Sequence, residues 1–144
     1  MTKPRLVDIR PFHPDDLAEI ELRATDTGRS PTDLLVGEGV VKAYTYLYRD
    51  QVMAIVGMLP NNPDCCEIFV FLDRRATRYV REIYYYAEQF LEELQKQYVR
   101  IHAAVSRSWH DRAPRFYERL GFEYEGCMRK FINGEDYFIY ARIR

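Results

Sequence analysis

The sequence predicts an α/β (α+β) fold: one mixed, mostly antiparallel sheet with a central parallel pair and helices on both faces. Three observations carry this. Residues 65–72, CCEIFVFL, form a nearly continuous apolar run, the mark of a strand buried on both faces. An amphipathic helix pattern follows over 77–98 and then a strand pattern, RIHAAVS, over 100–106. Strand, helix and strand in that order make the two strands parallel, joined by a right-handed crossover. The C-terminal segments FEYEGCMRKFI and EDYFIYARI read as two strands around Asn133-Gly134, a strong hairpin signal. The 144 residues fit a single domain, 1–144, able to bury one core.

The remaining elements follow in order. LVDIRPF (6–12) alternates apolar and polar residues and reads as a first strand. Pro14 opens a helix with Asp15 and Asp16 in its first turn, where carboxylates suit the helix dipole, and Leu17, Ile20 and Leu22 on its apolar side. TDTGRS breaks it. Ser30-Pro31, an N-cap followed by proline, starts a second helix, SPTDLLVGEGVVKA. AYTYLYRD (43–50) and QVMAIVGML (51–59) form a hairpin at Arg49-Asp50-Gln51 that lacks a glycine. PNNPD (60–64) reads as a turn. Over 77–98 the apolar positions Tyr79, Val80, Ile83, Tyr86, Ala87, Phe90, Leu91 and Leu94 give the 3.6-residue period. The run Tyr84-Tyr85-Tyr86 cannot face one way on a helix, so at least one ring is expected to be exposed, a hint of a partner surface. HDRAPRFYERLG is a short helix capped by Asp111, with Pro114 in its first turn and Gly121 closing it.

Composition excludes several classes. The net charge of −1 and pI near 6.3 disfavour a general nucleic-acid binder. The three cysteines, Cys65, Cys66 and Cys127, show no zinc spacing, so no metal is expected. They fit a reducing, cytoplasmic setting. The first residues lack the apolar stretch of a signal peptide, and nothing approaches the roughly 18–20 apolar residues of a membrane span.

Two stretches carry a family resemblance. HDRAPRFYERLGFEYEG (110–126) resembles the Asn-x-x-Ala-x-x-(Phe/Leu)-Tyr-x-x-x-Gly-Phe signature of the Gcn5-related N-acetyltransferases (GNAT), with Ala113, Phe116, Tyr117, Gly121 and Phe122 matching and His110 at the Asn position. YRDQVMAIVGM (48–58) resembles the family's hairpin of second and third strands, with Gly57 closing the third. The resemblance implies that the central strand splays from its parallel neighbour and that acetyl-CoA lies in the gap, beyond the carboxyl ends of the strands. It implies a pyrophosphate held by backbone amides in an Arg/Gln-x-x-Gly-x-Gly/Ala turn at the start of the crossover helix. Here that turn is Arg75-Ala76-Thr77-Arg78-Tyr79-Val80, which makes Arg75, Ala76, Arg78 and Val80, with His110, the candidate cofactor-binding residues. Arg78 and Val80 stand where glycines belong, and their side chains crowd the amides. By the same resemblance Tyr117 is the general acid, and Glu67, the only charge inside the central strand, acts as base through a water.

The implied activity is acetyl transfer from acetyl-CoA to an amine of a small molecule or a protein. A side-chain version has Arg75 and Arg78 holding the phosphates. The alternative is a GNAT-like scaffold without CoA that works through protein assembly partners. In pattern the chain also resembles the small internal virion proteins of T7-like phages, which would make it virion-associated.

Overall fold

The computed structural model describes residues 8–22, 42–107 and 113–144. Seven strands form one sheet: β1 (Asp8–Pro11), β2 (Lys42–Tyr48), β3 (Gln51–Asn62), β4 (Cys65–Leu72), β5 (Arg100–Ser106), β6 (Glu123–Ile132) and β7 (Glu135–Ile143). Their order is β1-β2-β3-β4-β5-β7-β6. Only β4 and β5 run parallel; every other neighbouring pair is antiparallel. Among the described residues the helices are α1 (Asp16–Glu19), α2 (Val80–Gln95) and α3 (Ala113–Arg119), with a 3₁₀ helix over Arg74–Tyr79 running into α2.

β4 shows why a central strand reads as one apolar run. Cys66 and Ile68 face the core shared with Ile83, Ala87 and Leu91 of α2 and with Phe116 and Tyr117 of α3. Phe69 and Phe71 face the opposite core, with Val52, Ile55 and Ile20, against which Leu17 of α1 packs. Helices therefore lie on both faces.

Four expectations are corrected. The helix opening at Pro14 is a single turn, because the chain becomes extended at Ile20, with ψ at 130°. PNNPD is not a turn throughout: β3 continues to Asn62 across a bulge after Pro60, and only Pro63-Asp64 turns. Proline is tolerated at such a bulge because its missing N–H costs no ladder bond there. Gly57 does not close β3 but sits within it, opposite Phe69. None of the three consecutive tyrosines is exposed: all are half-buried, Tyr84 against Phe116 and Tyr86 against Tyr46 and Tyr85. The helix expected over 30–43 lies outside the described residues, save that Lys42 and Ala43 begin β2.

The two hairpin turns follow their residues. Asn133 and Gly134 both take left-handed φ, 51° and 75°, which matches strand twist in a two-residue turn. Arg49 and Asp50 do the same at 49° and 63° with no glycine, a conformation that costs about 1–2 kcal/mol per residue. All three cysteines are free thiols.

Candidate functional site

The parallel ladder between β4 and β5 is short. Cys65 pairs with Arg100, Cys66 with Ile101 and Glu67 with His102, and there it ends. Beyond that point β4 stays bonded to β3 as far as Leu72 opposite Ala54, and β5 stays bonded to β7 as far as Ser106 opposite Tyr137. Each strand is held on its outer side, so the two part and leave a V between residues 68–72 and 103–106. Among the described residues no ladder joins β4 to β5 beyond Glu67–His102, and strand edges that face a gap offer backbone groups to whatever enters.

Glu67 sits at the closed end of the V and is buried. Tyr117, on α3, is buried too, its ring packed on Phe116, Phe122 and Tyr140. Burial pushes the Tyr117 phenol above its ordinary range, and the nearby Glu67 charge pushes it further. Glu67 alternates with Cys66 and Ile68 along β4, so its side chain leaves the sheet on the face of Phe69 and Phe71, while Tyr117 packs on the face of Cys66 and Ile68. The link between the two residues expected to do the chemistry is this electrostatic influence.

The arginine-rich turn is built around Asp73, which is fully buried. Its carboxylate caps the 3₁₀ helix by accepting from the Arg75 amide at 2.8 Å, and it also accepts from the Glu21 amide at 2.9 Å. The Arg75 guanidinium closes on the same carboxylate through Nε at 2.8 Å and a second nitrogen at 3.1 Å. Burial raises the Asp73 carboxyl, but these bonds outweigh it and hold it below its ordinary value. Arg74 pairs with Glu21 at 2.5 Å. Ala76 is buried in the core, with its amide bonded to the Asp73 carbonyl at 2.9 Å. Arg78 and Val80 are exposed, and His110 lies outside the described residues.

The V is the opening in the sheet that could admit an acyl thioester arm alongside the strand edges. A pyrophosphate does not fit the turn as it would an open cradle of amides. The 3₁₀ helix commits its amides to carbonyls three residues back, and a carboxylate of the chain itself already caps its start. Asp73 is the residue that sequence reasoning missed. Its signal was an aspartate immediately before a helix, the ordinary mark of an N-cap.

No protein-family model and no curated protein sequence matches the chain. Solved structures do match. A GNAT family acetyltransferase from Elizabethkingia anophelis with acetyl-CoA bound is 14% identical, with a TM-score of 0.66 over 96% of this chain and 98% of that one. Ard1 from Thermoplasma volcanium is 17% identical, with a TM-score of 0.73 over 95% and 97%. A spermidine N-acetyltransferase chimera drawn in part from Vibrio cholerae is 14% identical, with a TM-score of 0.73 over 95% and 95%. The chain has the GNAT fold, and its structural neighbours are N-acetyltransferases.

Proposed function

We propose that the chain is a divergent GNAT-fold N-acyltransferase that moves an acyl group from a thioester to an amine. The observation that carries this reading is the V between β4 and β5, with Glu67 at its closed end and Tyr117 buried within electrostatic reach of it. Acetyl-CoA, bound in a structural neighbour, supplies a thioester of the required kind. A backbone N–H of the β4 edge along the V stabilises the oxyanion that forms when the amine attacks. Glu67 accepts the amine's proton through a water.

The role of Tyr117 is decided by magnitude. A phenol held above its ordinary value, itself about 10, stays protonated at neutral pH, whereas a free thiol titrates near about 8.5. Full proton transfer to the leaving thiolate is therefore uphill. Tyr117 acts as a hydrogen-bond donor to the departing sulfur, and such a bond to a charged group contributes about 1.5–3 kcal/mol.

Calorimetric titration with acetyl-CoA, followed by turnover with spermidine and small primary amines, tests the reading. Binding below millimolar and measurable transfer are expected. Tyr117→Phe should lower kcat about 10- to 100-fold with little change in donor affinity. No binding at millimolar acetyl-CoA together with no transfer sinks the proposal.

The capped turn favours a second reading, a GNAT-like scaffold that binds no CoA and serves an assembly, for example as a phage virion protein. The chain would then co-purify with a protein partner or particle and give no transfer to any amine.

A further inference from the structure

Across the short parallel ladder, Cys65 of its first rung and His102 of its last are in direct contact, with Sγ and Nδ1 3.2 Å apart. Both lie on the sheet face that also carries Glu67. Arg100 is the register partner of Cys65 across the ladder. Arg100 is in turn fixed by a two-point pair with Glu125, at 2.5 and 3.0 Å. Asn61 approaches the thiol at 3.6 Å through its side-chain oxygen. A thiol in contact with an imidazole is a proton-accepting setting that can activate a cysteine.

The chain supplies its own controls. Cys66 is fully buried among apolar groups, which, with the neighbouring Cys65, push its thiol up to about 12. Cys127 is exposed. Cys65 is buried at 9% exposure, with the half-buried His102 and Arg100 beside it.

We propose that Cys65 is a reactive thiol, with His102 as its proton acceptor and Arg100 as the charge that steadies the thiolate, and that it takes low-molecular-weight disulfides. The Cys65 thiolate attacks one sulfur of the disulfide, the S–S bond breaks, and a mixed disulfide forms on Cys65. The second sulfur leaves as a thiolate and takes the proton that His102 had accepted. No other oxidant is needed, and the site does not depend on the acyl-transfer reading.

Dipyridyl disulfide reacting with the intact chain near pH about 6.5, with peptide mapping of each cysteine, is the test. Cys65 is expected to react about tenfold faster than exposed Cys127, and Cys66 to stay unlabelled. His102→Asn should slow Cys65 about tenfold and leave Cys127 unchanged. Asparagine is smaller than histidine, so improved access alone would act in the opposite direction. If His102→Asn exposes Cys66 and so reports unfolding, Arg100→Gln takes its place, with the same slowing expected. A Cys65 rate at or below that of Cys127, or one unmoved in a folded variant, overturns the proposal.

Discussion

At the scale of single residues, the buried acids carry the fold's electrostatics. Asp16 is 3% exposed and holds four bonds: two from Arg10 at 2.6 and 2.8 Å, one from the Thr45 hydroxyl at 2.6 Å and one from the His13 amide at 2.9 Å. Burial raises its carboxyl, but the Arg10, Thr45 and His13 bonds together bring it down from 3.8 to about 2. Because the folded value lies below the unfolded one, the ionised acid stabilises the fold above about pH 4. That contribution is lost as pH falls through about 2. A shift of this size is worth about 2 kcal/mol. Urea unfolding at neutral pH and near pH 2 should therefore show Asp16→Asn destabilised at neutral pH by about 2 kcal/mol and closer to the parent in acid. An equal gap at both would assign the effect to packing rather than charge. Nothing in the sequence marked this pairing. Arg10 and Asp16 lie in different elements, and only the tertiary fold places Thr45 beside them.

At the scale of elements, Gly57 shows how two strands share space. It lies opposite Phe69, and a methyl group added at Gly57 would fall on the Phe69 ring. Gly57→Ala should cost about 1–3 kcal/mol by overpacking. Adding Phe69→Leu should recover part of that cost, giving a double-mutant coupling of about 0.5–3 kcal/mol. Strict additivity in thermal unfolding would place the strain elsewhere. Elements with strong periodicity were legible: β4 from its apolar run, α2 from its 3.6-residue repeat and the last hairpin from Asn133-Gly134. The 3₁₀ helix over Arg74–Tyr79 was not, because its side-chain spacing blends into the α-helical period that follows. Pro60 misled because proline marks turns in general, while here a bulge accommodates it within β3.

At the scale of the whole molecule, the topology makes the opening and the turn decides what fills it. The strand order places β7 between β5 and β6, so β5 is held by β7 while β4 is held by β3, and the V follows from that division. The expectation for Glu67 and Tyr117 rests on a strand position and a helix signature. Arg78 and Val80 read from the sequence as crowding the turn, and both are exposed, whereas the buried Asp73 cap of that turn was not legible. The consequence bears on the donor. If the amides of this turn are not available, the nucleotide half of acetyl-CoA meets only exposed arginine side chains such as Arg78 and Arg81. Exposed ion pairs contribute about 0–1 kcal/mol each. Acetyl-pantetheine, which keeps the thioester arm and lacks the nucleotide, should then bind within about 30-fold of acetyl-CoA, since two such pairs total at most about 2 kcal/mol. Calorimetry on the two ligands under identical salt decides it. A preference for acetyl-CoA beyond about 100-fold requires more energy than those side chains supply. It would mean that the turn opens and Asp73 gives up the Arg75 amide to a phosphate. In that case Asp73→Asn, which removes the competing charge, should raise acetyl-CoA affinity and leave acetyl-pantetheine unchanged.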